Sequence, residues 1–273
     1  MSLGSGIAYP ALVMGVLGLI FGSLLAYASI RFFVPTDERV GKIREILPGA
    51  NCGGCGFPGC DGYADAIVNG GCKTNLCAAG GAALATGIAE IMGVASEKSV
   101  PVHAFLKCQG APDVCVRNAV YDGITDCRSA AILPGGGPSS CPFSCIGLGT
   151  CVSVCVFGAM TIQGGLATVD PKKCVGCGTC VVNCPKSVLA LVPKASSVQV
   201  ACNSNWRGPD VKKVCGLGCI GCGMCSRACP VQAITVANNL AAIDPEKCTN
   251  CGLCVTKCPT KSIVSGAVSD AII

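Results

Sequence analysis

The amino-terminal part of the chain is its longest apolar stretch. Between Gly6 and Val34 the only charged residue is Arg31, and the segment from Ala8 to Ile30 is long enough to cross the hydrocarbon core of a bilayer. Nothing basic precedes this segment, whereas basic residues follow it closely: Arg31, Arg39, Lys42 and Arg44. The pattern predicts a transmembrane helix within residues 1–34, with the N terminus outside and the bulk of the chain cytoplasmic. A signal peptide would need a basic leading region and a shorter apolar core.

Beyond this stretch, the apolar positions predict short elements. Val40, Ile43 and Leu47 share one face of a short amphipathic helix that ends at Pro48, and a second helix is expected from Asp61 to Val68. Four short apolar segments with β-forming residues read as strands: Ala159–Ile162, Val188–Leu191, Ala233–Val236 and Ser262–Val264. We therefore predict the α+β fold class.

Cysteine spacing carries the chemical information, since 26 of the 273 residues are cysteines. Two runs near the C terminus have the spacing C-x2-C-x2-C-x3-C-P of bacterial ferredoxins with two [4Fe–4S] clusters. In that pattern three cysteines of a run bind one cluster, and the cysteine before the proline binds the other. The predicted ligand sets are Cys219, Cys222, Cys225 with Cys258, and Cys229 with Cys248, Cys251, Cys254.

Two runs further upstream predict a second module of the same kind. The run from Cys174 to Cys184 keeps the strict spacing, whereas the run before it is looser and has Val156 in place of the proline. Losing that proline removes a rigid turn but no ligand. The predicted ligand sets are Cys141, Cys145, Cys151 with Cys184, and Cys155 with Cys174, Cys177, Cys180. Four clusters in two ferredoxin modules indicate an electron carrier.

Other uses of cysteine fit this spacing less well. A zinc ribbon needs two C-x2-C pairs separated by a spacer, not three cysteines at consecutive x2 intervals. A disulfide framework suits a short secreted chain. Haem attachment needs C-x-x-C-H, and the only histidine, His103, follows no cysteine pair.

Composition shifts the expected source of stability and the expected charge. Aromatic residues are 4% of the chain, and cysteines inflate the hydrophobic fraction of 51%, so we expect cluster binding to supply much of the folding free energy. The formal charge of +5 counts cysteines as neutral. An oxidised cluster with four thiolates carries about −2, so five or six clusters bring the chain to roughly −5 to −7. A nucleic-acid partner is therefore not expected.

A further cysteine pattern follows the first predicted helix. Cys52, Cys55 and Cys60 have the spacing C-x2-C-x4-C among glycines, which allow backbone N–H groups to approach cluster sulfurs. A fourth ligand must come from downstream, where both Cys72 and Cys77 are available.

This region resembles the B subunit of the Rnf complex, the membrane-bound ferredoxin:NAD oxidoreductase of bacteria. The shared features are Ile43–Asn51, the Cys52/Cys55/Cys60 run, Asn75-Leu76-Cys77 and Gly80-Gly81. The resemblance covers the whole chain and implies one membrane helix, a four-cysteine cluster domain and ferredoxin modules, in that order. It implies the ligands Cys52, Cys55, Cys60 and Cys77 and leaves Cys72 spare. Segments 105–108, 123–127 and 146–151 resemble the clostridial-type branch, which has a second two-cluster module.

The predicted domain boundaries follow from these patterns. They are the transmembrane helix (1–34), the four-cysteine [4Fe–4S] domain (35–95), a connecting segment (96–135), ferredoxin module 1 (136–195), an inter-module segment (196–214) and ferredoxin module 2 (215–273).

Six cysteines remain outside the five predicted ligand sets: Cys72, Cys108, Cys115, Cys127, Cys202 and Cys215. We expect a sixth [4Fe–4S] cluster that joins the two modules, on Cys108, Cys127, Cys202 and Cys215. The alternative is that some of these residues are buried, unreactive thiols. The cofactor prediction is thus five [4Fe–4S] clusters, or six.

The sequence has no glycine-rich dinucleotide motif after a predicted strand and no P-loop. Ser265–Val268 lacks the threonine needed for covalent flavin attachment, so we expect no flavin or NAD on this chain, and no catalytic residues. The resemblance implies soluble ferredoxin as electron donor and the other membrane subunits of an Rnf-type translocase as partners. The alternatives are a redox-inactive four-cysteine metal scaffold and the iron–sulfur subunit of another membrane redox complex.

Overall fold

The computed structural model describes residues 3–32, 37–97 and 100–266. The end of the Ser265–Val268 segment lies outside the described residues. All 26 cysteines lie within them.

Helix α1 (Leu3–Arg31) contains the predicted apolar stretch. Within it, Ala11–Arg31 is long and apolar enough to cross a membrane, by length and composition, and none of that span is buried against the rest of the structure. Several of its apolar side chains, Leu19 and Leu25 among them, are more than two thirds exposed. Such a helix is stable next to lipid or other apolar helices because its backbone groups are bonded within the helix.

Three helices form the first domain: α2 (Glu38–Ile46), α3 (Cys60–Gly70) and α4 (Gly81–Met92). Helix α2 begins after Asp37, whose carboxylate accepts a hydrogen bond of 2.8 Å from the Arg39 N–H. The helices bury Ile43, Tyr63 and Ile88 in one small core. Helices α2 and α3 agree with the sequence prediction, whereas α4 was not predicted.

The rest of the chain repeats one plan of short helices and strands. The first copy contains β1 (Val102–Leu106), α5 (Cys127–Ala130), α6 (Thr150–Ser153), β2 (Met160–Gln163), β3 (Leu166–Val169), α7 (Thr179–Asn183) and β4 (Leu189–Pro193). The second copy contains β5 (Val198–Val200), α8 (Gly208–Val214), α9 (Met224–Ala228), β6 (Ile234–Ala237), β7 (Leu240–Ile243), α10 (Leu253–Lys257) and β8 (Ile263–Ser265).

Each copy contains two antiparallel two-stranded sheets. In the first copy β1 pairs with β4 and β2 with β3, and in the second β5 pairs with β8 and β6 with β7. Strands β2 and β6 begin 74 positions apart, as do β3 and β7, and β4 and β8. The two modules therefore correspond element by element from β2 onward.

The predicted connecting segments are not separate linkers. Strand β1 lies in the segment 96–135 and pairs with the last strand of module 1, and β5 lies in the segment 196–214 and pairs with the last strand of module 2. Each segment thus completes a module, because a short terminal strand such as β8 gains a hydrogen-bonded partner only from there.

The first domain packs directly against module 1. A methyl group on Gly54 would lie 2.6 Å from the carbonyl oxygen of Cys177. Beside it, the Thr179 hydroxyl donates a hydrogen bond of 3.2 Å to the carbonyl oxygen of Cys52. The backbones of two cysteine loops therefore touch at Gly54.

We predict that Gly54→Ala separates the two loops, because the added methyl group would meet backbone atoms that cannot move aside as a flexible side chain can. Overpacking of this kind costs about 1–3 kcal/mol of stability. Hydrogen-exchange mass spectrometry of the cluster-loaded chain should show faster exchange around residues 52–55 and 177–179. Gly41→Ala in α2 is the control, since a methyl group there meets nothing within 4 Å. Unchanged exchange in Gly54→Ala would contradict the contact.

Candidate iron–sulfur centres

The first centre lies in the three-helix domain. Cys52, Cys55, Cys60 and Cys77 line one cavity together with the glycines of the loop. The backbone N–H of Cys60 donates a hydrogen bond of 2.8 Å to the Asn51 side chain, which fixes the start of α3. Asn51 itself has a positive φ of 46°, a conformation that asparagine tolerates better than most residues.

Tyr63 positions the loop that brings Cys77 to this cavity. Its hydroxyl donates to the carbonyl oxygen of Lys73 at 2.9 Å and accepts from the Leu76 N–H at 3.1 Å, so it holds the loop before Cys77 against α3. Cys72 does not line the cavity, and its Sγ donates to the adjacent Lys73 carbonyl oxygen at 3.7 Å. This placement favours Cys77 as the fourth ligand.

In module 2 the proline-side cysteine crosses between the two runs. Cys258 lines one cavity with Cys219, Cys222 and Cys225, as the crossed pattern requires. Cys254 has Cys248 and Cys251 as close neighbours. In module 1, Cys180 has Cys155, Cys174 and Cys177 as close neighbours. Cys258 therefore lies with the set that the crossed pattern assigns to it, whereas the placement of Cys229 with Cys248, Cys251 and Cys254 stays a prediction.

The remaining centre of module 1 differs from the expectation. The close neighbours of Cys151 include Cys127, Cys145 and Cys184, and those of Cys145 again include Cys127 and Cys184. The close neighbours of Cys141 are instead Cys202 and Cys215. The structure thus groups Cys127 with the cysteines where Cys141 was expected, and Cys141 with the cysteines where Cys127 was expected.

The physical reason is a missing cysteine in the looser run. Leu148 occupies the position of Cys222 in the 74-residue repeat, between glycines of positive φ in both copies: Gly147 and Gly149, Gly221 and Gly223. The turn between the two glycines is therefore present in both modules, but in module 1 its central side chain is the apolar Leu148 and not a cysteine. Leu148 packs beside Cys127 at the start of α5, so Cys127 fills the vacated position.

Hydrogen bonds hold Cys127 in that position. Its backbone N–H donates to the Thr150 hydroxyl at 2.7 Å, and that hydroxyl donates to the Asp126 carboxylate at 2.8 Å. Asp126 also caps α5, since its side chain accepts from the Ser129 N–H at 3.0 Å. The cap fixes Cys127 against α6, next to Cys151.

Five further cysteines line a cavity between the modules: Cys108, Cys115, Cys141, Cys202 and Cys215. Within 3–32, 37–97 and 100–266, no three Cys, His, Asp or Glu side chains are grouped closely enough to hold one metal ion.

Backbone N–H groups point at many of these sulfurs. Ala159 donates to Cys155 Sγ at 3.4 Å, and at the equivalent place in module 2, Ala233 donates to Cys229 Sγ at 3.3 Å. Hydrogen bonds of this kind stabilise cluster thiolates and tune their reduction potential. Glycine-rich turns, amide donors and crossed sets of four cysteines fit [4Fe–4S] clusters.

Burial makes these thiols weak acids in the absence of iron. It raises the pKa of the Cys108, Cys151 and Cys180 thiols to about 12, and neighbouring sulfurs contribute to each shift. Such thiols are protonated at neutral pH, whereas cluster ligands are thiolates. Cluster binding therefore releases protons and is coupled to folding.

Three family profiles match segments of the chain. A putative Fe-S cluster profile matches residues 47–79, a 4Fe-4S binding domain matches 166–189, and a 4Fe-4S dicluster domain matches 218–262. With the cysteine sets above, they define an iron–sulfur protein that combines a small cluster domain with ferredoxin-type modules.

Curated relatives then identify the family. The B subunit of the Na(+)-translocating ferredoxin:NAD(+) oxidoreductase complex of Acetobacterium woodii is 46% identical over 89% of this chain and 73% of its own length. The proton-translocating counterpart of Clostridium ljungdahlii is 46% identical over 86% of this chain and 84% of its own length. The B subunit of the ion-translocating oxidoreductase complex of Methanosarcina acetivorans is 41% identical over 86% of this chain and 89% of its own length. The chain belongs to the family of Rnf complex B subunits.

We predict that Cys127→Ser removes the cluster of Cys145, Cys151 and Cys184, and that adding Leu148→Cys restores it, since position 148 is a ligand position in the repeat. The iron content of the anaerobic chain, checked by Mössbauer spectroscopy, should be lower by about four atoms in Cys127→Ser. It should return to the original value in the double variant.

Leu148→Cys alone is the matched control and should leave the iron content unchanged. If Cys127→Ser retained full iron content, Cys127 would not be a ligand.

Proposed function

We propose that this chain is an electron wire of an Rnf-type ferredoxin:NAD oxidoreductase. It accepts single electrons from reduced ferredoxin and passes them through [4Fe–4S] clusters to partner subunits in the membrane. The proposed ligands are the four cysteines of the first domain, the four crossed sets of the two modules with Cys127 as described, and four of the five cysteines between the modules.

This proposal rests on the order of the cysteine groups, which form a row in which each group contacts the next. The first centre touches module 1 where Gly54 meets Cys177. Within module 1, Cys151 of one centre has Cys180 of the other as a close neighbour. Cys108 of the central group accepts a hydrogen bond of 3.4 Å from the N–H of Cys145. Cys202 of that group has the backbone N–H of Cys219 in module 2 as a neighbour.

The two ends of this row differ in their surroundings. In module 2, Cys222 and Cys251 are the exposed cysteines. Close to them in sequence, Met224 and Leu253 are 41% and 46% exposed, and Arg227 and Lys257 are exposed cations. Apolar contacts ringed by cations suit an anionic electron carrier, because charge complementarity steers association. We assign ferredoxin docking to this end.

The opposite end lies beside the membrane anchor. The first domain begins at Asp37, a few residues after α1 ends at Arg31. The basic residues that follow α1 favour a cytoplasmic location of all clusters, with the N terminus outside. Electrons then leave the chain at the membrane surface, towards the partner subunits.

This chain needs no acid, base or nucleophile for that task. The clusters supply one-electron chemistry when bound, and the protein sets their spacing, burial and hydrogen bonding. Flavin and nicotinamide chemistry belong to the partner subunits.

We predict that Cys180→Ser interrupts the row beside the first domain. In membranes that contain the complete complex, NADH formation from reduced ferredoxin should fall by at least about tenfold, whereas ferredoxin should still reduce the module 2 clusters seen by EPR. Cys72→Ser, at a cysteine that does not line the cavity of the first centre, is the control and should keep full activity.

Normal NADH formation in a Cys180→Ser variant that has lost its cluster would exclude the wire. Absence of any reducible cluster in the unmodified chain would favour the redox-inactive scaffold.

We predict the topology from the same proposal. A short tag at the N terminus should be protease-accessible from outside intact spheroplasts, and a tag after Ile273 only after lysis. The reverse pattern would place the clusters outside and overturn the assignment of ferredoxin as donor.

A further inference from the structure

The cavity between the modules is lined by more cysteines than one cluster needs. Cys108, Cys115, Cys202 and Cys215 line it with Cys141, and apolar side chains close it: Phe143, Ala201, Val211, Val214 and Leu217. A [4Fe–4S] cluster binds four cysteines, so one of the five is not needed as a ligand. The 74-residue repeat shows which four cysteines form a symmetric set.

Two of the five cysteines are equivalent by strand register. Leu106 pairs with Leu189 in module 1, and Val200 pairs with Ile263 in module 2. Leu189 and Ile263 are 74 positions apart, so Leu106 and Val200 are structural equivalents. Cys108 and Cys202 each come two residues later and are therefore equivalent as well.

Two more are equivalent by sequence spacing. Cys141 precedes Cys145 by four positions, and Cys215 precedes Cys219 by four positions. Cys145 and Cys219 are equivalent in the repeat, so Cys141 and Cys215 are equivalent too. Each module contributes one strand-end cysteine and one cysteine from the start of its first run.

The contacts between the modules are reciprocal. The Gln109 side chain donates to the carbonyl oxygen of Lys261 at 3.1 Å, and the Asn203 side chain donates to the carbonyl oxygen of Ser187 at 3.4 Å. Gln109 follows Cys108 as Asn203 follows Cys202, and Ser187 and Lys261 are again 74 positions apart. The two modules are therefore related by a pseudo-twofold axis that passes through this cavity.

The sulfur environments obey the same symmetry. Cys108 Sγ accepts a hydrogen bond of 3.4 Å from the Cys145 N–H, and Cys202 Sγ has the equivalent Cys219 N–H as a neighbour. Each strand-end cysteine thus contacts the backbone of a ligand of the neighbouring centre.

We propose that Cys108, Cys141, Cys202 and Cys215 hold a sixth [4Fe–4S] cluster on the pseudo-twofold axis between the modules. The site rests on geometry, and its role as the link between the modules rests on the proposed function. It differs from the sequence expectation in one ligand, Cys141 instead of Cys127.

Cys115 is the fifth cysteine and has no counterpart in module 2. It lies in the insertion that lengthens module 1, and its backbone forms an isolated bridge with Cys215. Its Sγ donates to the carbonyl oxygen of Val116 at 3.7 Å and also lies within hydrogen-bond distance of the Cys215 Sγ. We assign it as a thiol beside the cluster, since it stands outside the symmetric set.

The test is the iron content and Mössbauer spectrum of the full anaerobic chain. Six clusters give about 24 iron atoms per chain, against about 20 for five. Cys141→Ser and Cys215→Ser should each lower the content by about four atoms, whereas Cys115→Ser should leave it unchanged. A fully loaded unmodified chain with about 20 iron atoms would overturn the proposal, as would loss of a cluster in Cys115→Ser with retention in Cys141→Ser.

Two controls separate this site from misfolding and from the proposed function. In Cys141→Ser the EPR signals of both module 2 clusters should persist. Loss of the signals of all module clusters would mean that this variant is misfolded. The iron content of Cys108→Ser and Cys202→Ser would then decide. Iron content does not depend on electron transfer, so about 24 iron atoms in a complex that fails to oxidise ferredoxin would uphold the site and reject the wire.

Discussion

The bond between cysteine thiolate and iron is the interaction on which the rest of the fold depends. The cores of module 1, module 2 and the first domain all include cysteines among their buried side chains, and the sheets of the modules have two strands each. Two-stranded sheets are marginal in water without further packing. The clusters therefore act as the centre of each core, and the short apolar strands pack around them rather than around one another.

Duplication explains why the chain can be long and still have small cores. Each module contains two cysteine runs, and the reciprocal bonds of Gln109 and Asn203 join the copies as a pseudosymmetric pair. The copies differ most between Cys108 and Cys141, which are 33 positions apart where Cys202 and Cys215 are 13 apart, and in the run that follows, where Leu148 stands in place of a cysteine. The proposed ligand Cys127, in the small core against which Leu148 packs, would keep the ligand position in space although it has moved in sequence.

The sequence predicted those parts of the site in which ligands are local. The strict runs and the crossing of Cys258 depend on fixed short spacings, and the structure groups these residues as expected. The exchange of Cys127 and Cys141 depends on contacts between distant segments, which spacing within a run does not determine. Alignment of the two modules would have shown Leu148 opposite Cys222 and Cys141 opposite Cys215. Strands β1 and β5 were missed because their partners are remote in sequence.

Charge adds a further constraint on the centre of the row. Burial lowers the pKa of the Lys107 and Lys186 ammonium groups, and nearby cysteines partly offset this: Cys202 for Lys107, and Cys141 and Cys184 for Lys186. The Lys186 ammonium also donates to the carbonyl oxygen of Gly136 at 2.7 Å. Half-buried cations are costly unless anions are close. The cluster proposed between the modules would supply that negative charge through its four thiolates, and the lysines would in turn stabilise an electron added to it.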